Sequence, residues 1–280
     1  MTSRIESLGL RSAAVPLLRD LIHERTGLFY EDGRLDVLAE RLADLVIDRG
    51  FESFLDYFYL LKYDAADADE QWPKVMDALS VPETYFWREV DQIRALVEVV
   101  VPSLAAAGAD PIRIWSVPCA SGEEPLTIAM ALDSAGWFLR TRIEIHGSDA
   151  SPAQVARARA GRFRDRSFRT LPEAMRDRYF RREGDVWIAA PSLASRVTSW
   201  SVVNLVAADE VRPFASSPVI FCRNVFIYFS PERVRQVVER FAETMPTPGY
   251  LFVGASESLL RATARFDLEE IGGAFVYVKR

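Results

Sequence analysis

Two adjacent carboxylates, Glu123 and Glu124, close a short loop of small residues in the sequence CASGEEP at positions 119–125. The apolar run IRIWSV before the loop predicts a strand, and LTIAMAL after it predicts a helix. A helix N-terminus favours anionic side chains, which explains the pair structurally, but both glutamates could equally face a cationic ligand. Gly122, which we expect to allow a ligand close to the backbone, is the only glycine of the loop. The dinucleotide fingerprint G-x-G-x-x-G is therefore absent.

A third carboxylate, Asp149, ends the next predicted strand, IEIHGSD. Ligands of open α/β sheets bind at the carboxyl ends of the strands, where Asp149 could accept hydrogen bonds from both hydroxyls of a ribose. It could instead be a turn former before Ala-Ser-Pro. Asn224, at the end of a later predicted strand, is a further candidate. S-adenosylmethionine meets these demands, since it has a ribose diol, a positive sulfonium and no phosphate.

The surrounding pattern predicts how these residues are positioned. Positions 1–80 indicate helices, because apolar residues recur there at three- and four-residue spacing. From residue 112 onward short apolar runs alternate with helices, which predicts an α/β fold with a parallel, doubly wound sheet. One helix has Ser151 as its N-cap and Pro152 at its first position, and SPERVRQVVERFAETM, from Ser230, repeats this Ser-Pro start. The closing FDLEEIGGAFVYVKR predicts an antiparallel hairpin. Residues 178–203 interrupt this rhythm with predicted antiparallel strands.

Composition limits the class of protein. The 280 residues are 49% hydrophobic and 26% charged with a net charge of −6, and residues 1–75 alone hold nine Lys or Arg against fifteen Asp or Glu. Such a balance argues against nucleic-acid binding. No run has the roughly 18 apolar residues of a membrane span, and the two cysteines fit no metal spacing. We therefore expect a cytoplasmic protein with no metal site and no membrane insertion.

Six strings, taken in order, resemble the CheR-type chemotaxis receptor methyltransferases, which are protein-glutamate methyltransferases. They are VPETYFWRE (81–89), WSVPCASGEEP (115–125), GSDAS (147–151), VVNL (202–205), FCRNVFIYF (221–229) and GASES (254–258). The resemblance implies an N-terminal all-α domain (1–80), a linker segment and helix covering the cofactor (81–111), and a class I methyltransferase domain (112–280). This Rossmann-like domain would contain a small antiparallel β-subdomain insert at about 178–203.

The resemblance also implies the function and its residues. S-adenosylmethionine would methylate glutamate carboxylates on the cytoplasmic helical domain of a chemoreceptor or another signalling protein, leaving S-adenosylhomocysteine. Arg88 and Tyr228 would be catalytic, Asp149 would hold the ribose, and Asn204 and Leu205 would flank the adenine. The positions implied for cofactor binding are Pro82, Thr84, Arg88, Glu123, Glu124, Asp149, Asn204, Leu205, Arg223 and Asn224.

Alternatives remain open at several of these positions. Arg88 could form a surface salt bridge with Glu89 or Asp91, and Tyr228 could pack in the core. Pro82 stands where the family commonly has a polar residue, and proline lacks an amide proton to donate. Residues 1–75 have a net negative charge, whereas this domain presents a basic face in the enteric members of the family. A signalling adaptor that binds the cofactor with weak or no catalysis is therefore the alternative function.

Overall fold

The N-terminal part of the chain folds into helices around a core of their own. The structure is a computed structural model that describes residues 14–280, so positions 1–13 of the predicted helical domain lie outside the described residues. Leu18, Leu38, Phe54 and Val75 are fully buried in this core. Its helices are α1 (Ala14–Thr26), α2 (Leu35–Asp48), α3 (Phe54–Tyr63) and α4 (Ala65–Leu79), with a 3₁₀ turn at Asp32–Arg34.

A linker leads from these helices to the sheet. It contains helix α5 (Val90–Ala95), a π-helical turn (Leu96–Val100) and helix α6 (Val101–Ala106) in direct succession. Phe86, ahead of α5, is fully buried against three other aromatic rings, Phe163, Phe168 and Phe180, at centroid distances of 4.8–4.9 Å. This burial ties the linker to the methyltransferase-like part of the chain.

The sheet is doubly wound, as the sequence predicts. Its strand order is β6-β2-β1-β7-β8-β10-β9, with parallel pairing from β6 to β8 and antiparallel pairing of β10 with both neighbours. Ile114 and Trp115, successive residues of β1, belong to different apolar cores, so both faces are covered. The strands are β1 (Ile112–Ser116), β2 (Ile143–Asp149), β6 (Val197–Val202), β7 (Val219–Phe221), β8 (Gly249–Phe252), β9 (Asp267–Ile271) and β10 (Ala274–Lys279).

The helices between the strands begin where the capping residues indicate. Ser151 and Ser230 each accept a hydrogen bond from the backbone N–H three residues on, which satisfies a donor that the first turn leaves free. The remaining helices are α7 (Glu123–Ser134), α8 (Pro152–Ala160), α9 (Glu173–Tyr179), α10 (Pro191–Ala194), α11 (Ala208–Ala215) and α12 (Pro231–Thr244), with 3₁₀ turns at Trp137–Leu139, Asp165–Phe168 and Phe226–Tyr228.

The antiparallel insert begins and ends earlier in the chain than the predicted range of 178–203, which contains two of its three strands. It is a three-stranded sheet in the order β3-β5-β4, formed by β3 (Arg162–Phe163), β4 (Phe180–Glu183) and β5 (Val186–Ala189). The prediction is wrong for residues 197–202, because this segment is β6 and pairs in parallel with β2 in the main sheet. Strand direction depends on the chain path between strands, which a local apolar pattern does not record. The domain boundaries at residues 80 and 111 stay predictions.

None of the helices within residues 14–280 is long and apolar enough to cross a membrane.

Candidate active site

Two adjoining cavities open at the carboxyl ends of the parallel strands, where the strand order reverses between β1 and β7. The first cavity lies between the sheet and the helical domain, and the second lies under the linker. Val81, Pro118, Ala120 and Asn224 line both and form the wall between them. Most of the residues predicted from the sequence line one or both cavities. Those lining the first are Asp149, Asn204, Leu205, Asn224 and Tyr228. Those lining the second are Thr84, Arg88, Glu124, Arg223 and Asn224.

Asp149 is buried at the end of β2 and faces the first cavity. One carboxylate oxygen accepts a hydrogen bond from Ala120 N and the other from Ser151 N, each at 2.9 Å. Burial raises its pKa to about 6, although backbone N–H donors partly offset this effect. A carboxylate has about four lone-pair sites, so two remain for further donors. Asp149 can therefore accept hydrogen bonds from a vicinal diol.

Glu124 faces the second cavity and shares a buried guanidinium with Glu89. Arg223 reaches Glu124 and Glu89, each at 3.2 Å, and donates to the carbonyl of Arg88 at 3.0 Å. Ser116 donates to Glu124 at 2.7 Å, yet burial dominates and raises the pKa of Glu124. Arg88, whose Nε lies 3.9 Å from Glu89, is a second cation of this group, so the four charges balance when all are ionised. In the second cavity the Glu124 carboxylate can face a cationic group, and Arg88 can face an anionic one.

Arg88 lines the second cavity with its guanidinium only lightly paired. Its Nη1 donates to the carbonyl of Glu83 at 3.0 Å, its Nε lies 3.9 Å from Glu89, and its guanidinium lies 5.5 Å from the ring centre of Tyr85. Asp91, the other suggested salt-bridge partner, pairs with Arg94 instead. Arg88 therefore keeps most of its planar donor fork available for an anion that enters this cavity.

Tyr228 lies where residues 25–29 of the helical domain contact residues 204–206 and 228–229, a contact that we call the seam. The backbone N–H of Phe29 donates to the Tyr228 carbonyl at 2.8 Å, and Leu28 forms an antiparallel bridge with Phe229. Gly27 has a φ of +79°, and a Cβ there would lie 2.9 Å from Val206 and 3.0 Å from Phe229. The seam thus requires glycine, and it places Tyr228 in the cavity wall, half-buried and outside the apolar core.

Asn204 also lies at this seam. Its side-chain amide donates to the carbonyl of Arg25 at 2.8 Å, while its backbone N–H donates to Glu210 at 2.7 Å. The amide nitrogen is therefore occupied by the helical domain. The neighbouring Leu205, which is buried, contributes an apolar wall to the same cavity.

Three residues singled out from the sequence, Glu123, Pro82 and Gly122, line neither cavity. The Glu123 carboxylate is buried and accepts hydrogen bonds from Ser121 and Ser167, so its contacts are structural. Gly122, at φ +97°, is closely packed, because a Cβ there would lie 2.9 Å from Ala158 of α8.

Asp77, which lines neither cavity, contacts the segment after Asp149 in a way that the sequence does not reveal. It belongs to α4 of the helical domain, and it accepts hydrogen bonds from the Ser151 hydroxyl and from Ala153 N at the start of α8. Its charge contributes to the raised pKa of Asp149. The helical domain therefore contacts both walls of the first cavity, at Asp77 on one side and near Tyr228 on the other.

Strained backbone is concentrated around the second cavity. Within residues 14–280, the non-glycine residues with positive φ are Trp87 (68°), Glu89 (52°), Ala120 (46°) and Asn224 (59°). Such conformations persist only where surrounding contacts determine them, and they cluster at functional sites. Each lies in a segment that borders the second cavity.

Comparison with known proteins gives the family. A model described as CheR methyltransferase, SAM binding domain matches residues 82–274, and one described as CheR methyltransferase, all-alpha domain matches residues 13–80. The chain belongs to the CheR methyltransferase family. The fold and family expected from the sequence are thus confirmed.

Curated CheR-family relatives match across nearly the whole chain. Chemotaxis protein methyltransferase 2 of Vibrio cholerae is 34% identical over 263 residues, which cover 93% of this chain and 91% of the relative. Chemotaxis protein methyltransferase 1 of Pseudomonas aeruginosa is 29% identical and covers 95% and 97%, respectively. The probable biofilm formation methyltransferase WspC of Pseudomonas putida is 32% identical over 92% of this chain, but the match spans 60% of that relative.

The cofactor of this CheR-family chain is S-adenosylmethionine, as the carboxylates at the strand ends indicate. The cavities fit it, since Asp149 retains free lone pairs in the first cavity and Glu124 presents a carboxylate to the second. No group of His, Cys, Asp and Glu within residues 14–280 is arranged to hold a metal ion.

Proposed function

We propose that this methyltransferase methylates glutamate side-chain carboxylates on a chemoreceptor or related signalling protein, giving glutamate methyl esters. The observation that carries the proposal is the lightly paired guanidinium of Arg88 in the second cavity, which Glu124 also lines. A cation at this position suits an anionic acceptor. The names of the relatives from Vibrio cholerae and Pseudomonas aeruginosa support a chemotaxis protein as that acceptor.

In the proposed complex the cofactor extends from the first cavity into the second, and the acceptor carboxylate enters the second beside Arg88. Asp149 would accept the ribose hydroxyls in the first cavity, beside Asn204 and Leu205 at the adenine. Glu124, held by Arg223, would face the positively charged methionine portion, and Asn224 lies on the wall between the two cavities. When bound, S-adenosylmethionine supplies a methyl group on a positively charged sulfur, which leaves as a neutral thioether.

The chain's own residues have mainly an orienting role. A glutamate with a pKa of about 4.3 is already ionised at neutral pH, so the acceptor needs no general base. Arg88 can bind one carboxylate through two N–H groups and direct an oxygen toward the methyl group. Because the acceptor loses its charge as the ester forms, an overly strong ion pair would oppose the reaction. The 28% exposure of the Arg88 side chain, which leaves it in contact with water, limits that strength.

The proposal is tested by incubating the protein with radiolabelled S-adenosylmethionine and chemoreceptor cytoplasmic domains. Methyl esters release methanol in base, so base-labile label on the receptor reports the reaction. Arg88→Ala should reduce the transfer rate at least tenfold, and Arg88→Lys should restore only part of it, because lysine lacks the planar fork. Arg94→Ala is the matched control, since Arg94 is an exposed arginine of the same linker that pairs with Asp91.

Calorimetry with S-adenosylhomocysteine measures cofactor binding separately. If the protein binds this ligand but labels no chemoreceptor domain, it is an adaptor and the proposed enzyme function is wrong. If label appears but is stable in base, the acceptor is not a carboxylate.

A further inference from the structure

A buried carboxylate lies beneath the loop that follows β7. Glu257 is 9% exposed, and its two oxygens accept hydrogen bonds from four backbone N–H groups. One oxygen takes Phe226 N at 2.7 Å and Ile227 N at 3.3 Å, and the other takes Asn224 N and Gly254 N, each at 2.7 Å. Glu257 therefore bonds both to its own loop and to the loop that carries Asn224.

These four hydrogen bonds hold the backbone of the loop after β7 in one conformation. Within residues 14–280 no lysine, arginine or histidine forms an ion pair with Glu257, so backbone groups alone hold its carboxylate. Asn224, the first donor, has a φ of +59°, which a non-glycine residue adopts only where other contacts hold it. Its loop has left the β7 strand, so these N–H groups have no ladder partner. Without the carboxylate they would lack an acceptor, and the loop would relax.

Gly254 provides the space for this arrangement. A Cβ there would lie 2.4 Å from the side-chain nitrogen of Asn224 and 2.9 Å from a carboxylate oxygen of Glu257. The Asn224 amide thus packs directly on the glycine backbone while its N–H binds the carboxylate. Both loops interlock at the wall between the two cavities.

We propose that Glu257 is a positioning residue, which holds the segment from Asn224 to Tyr228 in the conformation that binds the methyl donor. This role rests on the proposed function, because it assigns Asn224 and Tyr228 to the donor site. Glu257 itself lines neither cavity and acts through the backbone groups that it binds. The hydrogen bonds to Glu257 stabilise the positive φ of Asn224 already in the ligand-free protein.

The test uses Glu257→Gln, Glu257→Asp and a matched control, Asp133→Asn. Glutamine is nearly isosteric, but its NH₂ group would face two backbone N–H donors and accept neither. Aspartate keeps the charge but withdraws the carboxylate by one methylene. Asp133 is a partly buried carboxylate with several partners, among them Tyr179 and Arg196, remote from both cavities. Two readouts are measured: the Kd of S-adenosylhomocysteine by calorimetry, and amide hydrogen exchange without ligand.

Glu257→Gln should raise the Kd at least tenfold, Glu257→Asp should lie between it and the wild type, and Asp133→Asn should stay within twofold. Exchange should accelerate for the amides of residues 224–227 in Glu257→Gln, while β1 amides keep their protection. A folded Glu257→Gln that binds within twofold of wild type, with unchanged exchange at 224–227, overturns the inference. Should Glu257→Gln not fold, Glu257→Asp decides by the same two measurements. A wild type that binds no S-adenosylhomocysteine contradicts the proposed function, whereas the exchange experiment still tests whether Glu257 holds the backbone of residues 224–227.

Discussion

If Asp149 holds the ribose as proposed, donor binding should weaken about tenfold when the pH falls from 7.5 to 5.0, because the carboxylate must be ionised to accept both hydroxyls. Burial raises its pKa to about 6, so the carboxylate is about 97% ionised at pH 7.5 and about 10% ionised at pH 5.0. If only the ionised form binds the diol well, the affinity follows the ionised fraction. An aspartate with an ordinary pKa near 3.8 would remain almost fully ionised over the same range.

Adenosine is the sharpest probe of this carboxylate. It carries the diol but lacks the methionine portion, so it does not report the titration of Glu124, whose pKa is also raised by burial. Calorimetric titrations at several pH values should give a midpoint near 6 for adenosine. The same titrations with 2′,3′-dideoxyadenosine, which has no hydroxyls for Asp149, should show little pH dependence, and Asp149→Asn should remove the dependence for adenosine. An adenosine affinity that is constant from pH 7.5 to 5.0 would refute the assignment of Asp149 to the ribose.

The stability of the protein should respond to this group with the opposite sign. Because the folded-state pKa is raised, the folded chain binds the proton more tightly than the unfolded chain. The stabilisation is then fully present below about pH 3.8 and is lost as the pH rises through about 6, an effect on the order of 3 kcal/mol in full and about 1.4 kcal/mol between pH 5 and pH 7.5. Urea unfolding of wild type and Asp149→Asn at pH 5 and pH 7.5 isolates this effect, since the difference between the two proteins cancels other titrations. A wild type that loses stability relative to Asp149→Asn on acidification would contradict the reasoning.

Three further predictions concern packing and the seam. Gly27→Ala should lower the free energy of unfolding by about 1–3 kcal/mol and weaken S-adenosylhomocysteine binding in calorimetry, because the new Cβ would lie 2.9 Å from Val206 at a positive φ. The control is Gly33→Ala, which should change neither quantity because nothing lies within 4 Å of its Cβ. Phe86→Ala should lower the free energy of urea unfolding by about 3–5 kcal/mol, because removing this fully buried ring leaves a cavity among the aromatic side chains around it. Phe275→Ala should lower it far less, because that ring is 66% exposed. Asp77→Ala should weaken adenosine binding at pH 7.5, and equal affinity in this variant and wild type would show that the α4–α8 contact does not support the ribose site.

Local sequence signals predict most of the fold correctly. The helix starts at Ser151 and Ser230 depend on a serine followed by proline, and both capping contacts form within three residues. The closing hairpin likewise follows from two glycines between alternating apolar residues, and Gly272 and Gly273 both have positive φ. In each case the deciding contacts are local in the chain.

The insert is predicted less well because its deciding contacts are distant. Strand β3 is the dipeptide Arg162–Phe163, within an arginine-rich stretch, and its partner β5 begins only at Val186. Strand β6 carries the same kind of apolar pattern as the insert, yet it pairs in parallel with β2, which the chain completes long before, at Asp149. Because pattern alone gives neither the partner nor the direction of a short strand, the sequence does not determine where the insert begins.

The site shows the same division between near and distant contacts. Asp149 and Glu124 could be nominated because each ends a strand or starts a helix at a predictable edge of the sheet. The carboxylates of Glu257 and Asp77 bind backbone groups 31 and 76 residues away, respectively, and neither lies at a strand end. Their function follows from what they hold in place, since each accepts N–H groups from a segment that lines a cavity. The proposed donor site would therefore depend on the helical domain and on the loop after β8 as well as on the strand ends, and substitutions at Asp77 and Glu257 should impair binding although neither residue lines a cavity.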